Sequence, residues 1–186
     1  MKKTAIALVL FAFMLADFAA YAQKHLVFTK GVEIKGTKTE MVATLAKKGF
    51  KYEETNDGVP LMIGKFEGFS DSEVNIVSKA GTDFVSAIRA ELPARISWVK
   101  LENDYSDMKA RMKKRFGAPS ECVEEFKDNP DGTHAKLVSL INNRCNYRTV
   151  YTCDEGTVTL SLKHFGPICF VCVLFEDALG GSGTAL

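Results

Sequence analysis

Cys169-Phe-Val-Cys172 has the two-residue spacing of a thioredoxin-type redox pair. That chemistry needs its first cysteine at a helix N-terminus, where the backbone dipole lowers the thiol pKa. Here the pair falls in the run 169–176, which is apolar at nearly every position and reads as a strand, and strand residues three apart point to opposite faces. Adding Cys153 and His164 gives four zinc-type ligands, but not at the paired-knuckle spacing of a structural zinc site, and an oxidising compartment consumes thiols. Neither a metal nor a cofactor is expected. His25, His134 and His164 do not stand at spacings that form a dyad: the first is close to the chain start, the second lies in a loop-like stretch, and the third shares strand parity with Val158, Leu160 and Leu162. Glu121, Glu124 and Glu125 read as a solvated edge, because acids are seldom buried. No serine occupies a Gly-x-Ser-x-Gly elbow, and Gly180-Gly181-Ser182-Gly183 is a terminal tail rather than a phosphate loop. No residue is assigned a catalytic role.

The five cysteines, Cys122, Cys145, Cys153, Cys169 and Cys172, all lie in the second half of the chain. In an exported protein such a cluster reads first as disulfides, with the odd count leaving one thiol over or pairing it between chains. Cys122 is one partner for Cys145; the pairing itself stays open, and Cys172 also suits a small packed hydrophobe. The aromatic residues offer a binding surface instead: Trp98, Tyr147, Tyr151 and Phe170, with Tyr105, suffice to line a concave sheet or groove, and aromatic anchors dominate interfaces. Their competing role is core. The run Lys109, Arg111, Lys113, Lys114 and Arg115 is the densest positive patch, read as a wet helix face near a favourable C-terminus or as a contact for an acidic protein or glycan.

These residues are expected in an exported chain. Lys2 and Lys3, the apolar stretch 5–16 and Ala20-Tyr21-Ala22 form a secretory signal peptide cleaved after Ala22, which places the protein in the periplasm or outside the cell. Loss of residues 1–22 removes two lysines and one aspartate and leaves the remainder formally neutral. Neutrality argues against nucleic acid as a partner, and no later stretch is apolar enough for stable membrane insertion.

The elements that position the candidate residues form two similar units. In the first, residues 23–93, Thr37 and Glu40 make a capping box, Met41, Val42 and Leu45 a buried stripe, and Gly49 a stop. Strands follow at 50–54, 59–66, 73–77 and 84–92, with Asn56-Asp57-Gly58 as a hairpin turn. In 84–92, Phe84, Ser86, Ile88, Ala90 and Leu92 are expected on one face, and Val85, Ala87, Arg89 and Glu91 on the other. The second unit, residues 94–179, opens with a helix from Trp98 to Phe116, capped at Ser97 or Asn103, with Leu101, Tyr105, Met108 and Met112 along one face. Strands are expected at 122–126, 136–141, 145–153, 157–164 and 169–176, and a disordered tail at 180–186. The fold class is α+β: two layers, built as tandem helix-plus-antiparallel-sheet units, because a sheet with one apolar face needs a helix to cover it.

A resemblance rests on Gly31-Val-Glu-Ile-Lys-Gly36, Leu45 to Phe50, Gly64-Lys-Phe-Glu-Gly68 with Phe69-Ser-Asp71, Trp98 through Tyr105, and the run from Arg115 through Pro119 and Cys122 to Phe126. The chain resembles a family of small secreted Bacteroidetes-type proteins of unknown function, similar in fold to the beta-lactamase inhibitor protein and to outer-membrane assembly lipoproteins of the SmpA/OmlA type. Members of that family often carry a cysteine where this chain has Ser72. The resemblance implies a beta-lactamase-inhibitor-protein-like fold and a sheet surface that grips a protein, but no inhibitory residue carries over. The reading is a binding module for a protein or glycan, against two alternatives: a small periplasmic hydrolase, which needs a pocket joining His164 to a nucleophile or paired carboxylates, and an envelope-assembly accessory protein.

Overall fold

The computed structural model describes residues 24–180, so the expected signal peptide at 1–22 and, apart from Gly180, the expected tail at 180–186 lie outside the described residues. The described chain is α+β, with one open antiparallel sheet of eight strands in the order β1-β2-β3-β4-β8-β7-β6-β5. Helix α1 (Lys38–Lys47) begins at the expected capping box: Thr37 Oγ1 accepts from Glu40 N while the Glu40 carboxylate takes Thr37 N at 2.8 Å. Strands β1 (Lys51–Asn56), β2 (Val59–Phe66), β3 (Phe69–Ser78) and β4 (Val85–Glu91) then run as a meander. Asp57 and Gly58 both take positive φ, which fits a two-residue hairpin turn. Glu67 and Gly68 do the same, so β3 starts at Phe69 rather than at 73.

Helix α2 (Trp98–Phe116) has the bounds and buried stripe that its periodicity predicts, starts after Ser97, and stops at Gly117. It leads into β5 (Glu121–Phe126). The expected strand at 136–141 is instead part of helix α3 (Gly132–Ile141). Leu137, Leu140 and Ile141 supply a short apolar stripe at helical spacing, and the helix is fastened from outside by Ser139 Oγ, which donates to both carboxylate oxygens of Asp128 at 2.8 and 2.9 Å. Strands β6 (Cys145–Cys153), β7 (Gly156–Phe165) and β8 (Ile168–Asp177) complete the second meander.

The last strand of each meander pairs with the other, β4 against β8, so the two units share one sheet and one continuous core. Cross-strand pairing assigns the faces. Val74, Ala90, Val173, Leu160 and Thr149 stand in one row and Ile76, Ile88, Phe175, Val158 and Tyr151 in the next; all are buried. Helix α1 packs on this face over β1–β3, and α2 and α3 over β6–β8. The simple alternation expected for 84–92 is broken within β4, where Ser86 lacks a partner between the pairs Val77↔Ala87 and Ser78↔Val85. This bulge flips the parity, so that Val85 joins Ile88, Ala90 and Leu92 among the buried residues while Phe84 is exposed.

The segment before α1 plugs the middle of the covered face. Phe28 stacks on Phe66 at 5.0 Å and meets Phe175 edge-on at 5.2 Å, and Leu26, Val32 and Ile34 are buried with it. Polar ties hold the start of the plug. Leu26 N donates to Asp177 Oδ1 at 2.6 Å, His25 Nδ1 lies 2.9 Å from Asp177 Oδ2, and the Arg115 guanidinium donates to the carbonyls of Phe28 and Val27. Burial pushes the Arg115 pKa down, with Glu67 opposing.

Candidate functional site

Among the described residues no helix packs on the opposite face of the sheet. One row across it reads Ile63, Glu73, Glu91, Cys172, Ser161 and Arg148; the next reads Leu61, Asn75, Arg89, Leu174, Thr159 and Val150. At the end of this face nearest the β7–β8 turn a groove of about 450 Å³ opens between two unlike banks. Its polar bank is Asp71, Glu73, Arg89 and Glu91, from β3 and β4. Arg89 Nε holds Glu91 Oε1 at 2.9 Å. Burial nevertheless pushes the Glu91 carboxyl above the usual carboxylate range, with the charge of Glu73 acting in the same direction. The apolar bank is Leu92, Pro93, Phe165, Ile168 and Phe170. Phe165 is 80% exposed and Ile168 47%. The connection after β4 is held beside this bank by an isolated bridge, Arg95↔Cys169, and carries Ile96, which is 94% exposed. Ile96 and Phe165 are the two most exposed large apolar side chains among the described residues, ahead of Tyr52 and Val99, and here they stand together with Ile168.

Of the four aromatic residues expected to bind, only Phe170 lines this groove. Trp98 and Tyr151 are each 1% exposed and, with Tyr147, belong to the covered side. Tyr147 meets Trp98 at 5.5 Å, Tyr105 at 5.4 Å and Phe126 at 5.7 Å, all edge-on, and its hydroxyl donates to Glu102 Oε1. Lys136 Nζ sits 5.7 Å over the Trp98 ring. Tyr151 donates to the carbonyl of Lys109 at 2.9 Å, and Tyr105 shares a buried hydrogen bond of 2.7 Å with Thr149. Burial raises the Tyr105 pKa to about 12 and pushes those of Tyr147 and Tyr151 upward. These phenols fasten α2 to the sheet.

The basic run of α2 is also partly occupied. Lys109 Nζ reaches Glu124 Oε1 and lies 3.2 Å from Cys122 Sγ; its bond to Glu124 raises its pKa. Arg111 lies 5.9 Å over Phe69, Arg115 ties down the segment before α1, and Lys113 and Lys114 are exposed.

The expectation of disulfides is overturned: Cys122, Cys145, Cys153, Cys169 and Cys172 are all free thiols. The physical reason is placement. Cys122 is exposed on an edge strand, and Cys169 and Cys172 point to opposite faces of β8, as residues three apart must. Burial raises the pKa of Cys145 and Cys172 to about 12 and pushes Cys153 and Cys169 upward, so all four are poor nucleophiles. Five thiols should titrate in denaturant without reductant, whereas in the native protein Cys122 alone should react rapidly with a maleimide, as peptide mapping by mass spectrometry would read. A count below five would establish a bridge.

Of the other sequence candidates, His164 also lines the groove, with its ring nitrogens on Gly166 O at 3.2 Å and Asn143 Oδ1 at 3.3 Å; the rest scatter. His134 lies on α3 rather than in a loop, Glu121 pairs with Arg148 on the neighbouring strand, and Glu124 pairs with Lys109 of α2. Among the described residues no three His, Cys, Asp or Glu side chains gather as metal ligands, and no helix is long and apolar enough to cross a membrane. The groove residues missed from sequence were Asp71, Glu73, Arg89, Glu91, Phe165 and Ile168; the one local signal was the polar pair Arg89 and Glu91 at alternate positions in an otherwise apolar strand.

No known protein family, curated protein or solved structure matches the chain. The resemblance to small secreted proteins therefore rests on the residues quoted for it.

Proposed function

We propose that this chain is an exported binding module that recognises a protein or glycan through the helix-free face of its sheet. The observation that carries the reading is the groove between Glu73 and Glu91 on one bank and Phe165, Ile168 and Phe170 on the other. It combines exposed apolar anchors with a few placed polar groups, the composition of a recognition site. The leader-like residues 1–22 support export, and the resemblance to the secreted family, with its beta-lactamase-inhibitor-protein-like sheet, agrees with use of a sheet face. His164 lines the same groove, but its ring nitrogens meet Gly166 O and Asn143 Oδ1 rather than Glu73 or Glu91, so no histidine–carboxylate contact supports the hydrolase alternative.

The test is affinity capture from the native envelope fraction with the wild type and with Phe165→Ser/Phe170→Ala. The wild type should retain a protein or glycan that the double variant retains about tenfold less, the loss expected when anchors at the centre of an interface are removed. Equal retention by both, or none by either, overturns the reading. Tyr147→Ala is not a useful probe, because it empties an aromatic cluster under α2.

A further inference from the structure

We infer that the groove is built for an extended basic segment of a protein, with a lysine or arginine lying over Glu73 and Glu91 and a neighbouring aliphatic side chain held by Phe165, Ile168 and Phe170; this rests on the binding reading above. Charge complementarity selects the occupant. Three carboxylates, Asp71, Glu73 and Glu91, face one guanidinium, Arg89, which is already committed to Glu91. The bank is left with an excess of negative charge on a chain that is otherwise nearly balanced. Of the nearby cations, Arg95 is tied to Asp104 at 2.6 Å, and Lys163 stands opposite Phe170 on β7, two strands away from Glu91.

The layout of the banks sets the form of the occupant. Glu73 and Glu91 are direct cross-strand partners, and the next two strands, β8 and β7, bring the apolar bank. A cation placed between the two carboxylates removes their mutual repulsion and restores the solvation that burial has taken from Glu91. Neutral glutamine at the same place does neither. Charge, not the apolar bank, favours a basic peptide over a neutral sugar: Phe165 and Phe170 offer faces on which either could pack, but only a cation relieves the repulsion between Glu73 and Glu91. Charge attraction of this kind also predicts sensitivity to salt.

The experiment uses the mature chain, isotopically labelled for NMR, and titrates it with three short synthetic peptides in which leucine alternates with lysine, glutamine or glutamate, and with a neutral β-linked oligosaccharide. The lysine peptide should shift the signals of Phe165, Phe170 and Glu91 and bind about tenfold more tightly than the glutamine peptide; the glutamate peptide should be weakest. Glu73→Gln/Glu91→Gln should abolish the preference for lysine while leaving the thermal midpoint within a few degrees of wild type, because both side chains lie on the helix-free face. Added salt should narrow the gap between the lysine and glutamine peptides. Equal affinity for those two, or shifts confined to the oligosaccharide, would overturn the basic-segment assignment while leaving the binding-module reading standing. Self-association of the protein that the double variant abolishes, without a preference for the lysine peptide, would give the groove to a second copy and overturn it as well. No shift with any probe also overturns the assignment; the capture experiment judges the broader reading separately.

Discussion

Replacing Phe175 by alanine is expected to cost about 3–5 kcal/mol of stability, the range for deleting a buried aromatic side chain. The ring is fully buried and belongs to no single unit. It meets Phe28 edge-on at 5.2 Å, Phe66 at 6.1 Å and Phe116 at 6.3 Å, and the Arg115 guanidinium lies over it at 5.5 Å. These partners come from the segment before α1, from β2 and from α2, so no one element can close the cavity that truncation leaves. Arg115, already half-desolvated, also loses its aromatic contact. Urea unfolding followed by both circular dichroism and fluorescence should show a lower midpoint with the two signals still coincident, because the shared core makes the two units unfold together. Phe175→Leu should recover most of the loss. A cost under about 1 kcal/mol for the alanine variant would contradict the packing, since it lies far below the range for such sites.

Gly156→Ala should be the second most damaging change. Gly156 opens β7 at φ 152°, and a Cβ there would lie 2.1 Å from the backbone carbonyl oxygen of Glu176 and 3.1 Å from Ala178 N. The obstacle is the main chain of the neighbouring strand, not the movable end of a side chain, so relief requires β7 and β8 to separate where Gly156 pairs with Asp177. Overpacking and the unfavourable backbone conformation together should cost about 3 kcal/mol. Gly31→Ala is the control: its φ is also positive, at 76°, but nothing lies within 4 Å of the added carbon. That variant should lose only the backbone contribution, about 1 kcal/mol. Thermal unfolding of the two variants in parallel checks the difference, and equal losses would show that close approach is not what Gly156 provides.

Much of the scaffold was legible because local periodicity encodes it. The stripe of Leu101, Tyr105, Met108 and Met112 gave α2 its bounds, and Cys145–Cys153 its strand. Helix α3 was missed because 136–141, with its Val and Ile, reads as strand material in isolation, and the contact that holds the helix, Ser139 to Asp128, comes from the preceding loop. The parity of β4 failed at Ser86 because a bulge depends on the partner strand. The site was much less legible than the scaffold. Tyr147 and Tyr151 have the parity of Thr149 between them, which fixes that they share a face but not which face the helices cover. The groove joins residues 71–94 to 164–170, and only the β4–β8 pairing brings those stretches together. No local pattern in either stretch announces the other. The disulfide expectation failed for a related reason: compartment and cysteine number say nothing about whether two thiols face each other.

The β4–β8 seam also sets the order in which the molecule can be finished. A chain made from its N-terminus completes β1 to β4 early, but the partner of β4 is the last strand to appear, and Asp177, which ties down Leu26 and His25, stands at that strand's end. Until then β4 offers a bare row of backbone donors and acceptors, the kind of edge that invites pairing with another chain. Closing it brings together residues 81 to 89 positions apart, a long search for a small domain and one that slows folding. The C-terminal strand is therefore the fastener of the whole sheet, and the interval before it arrives is when a growing chain is most open to misassembly or to a chaperone.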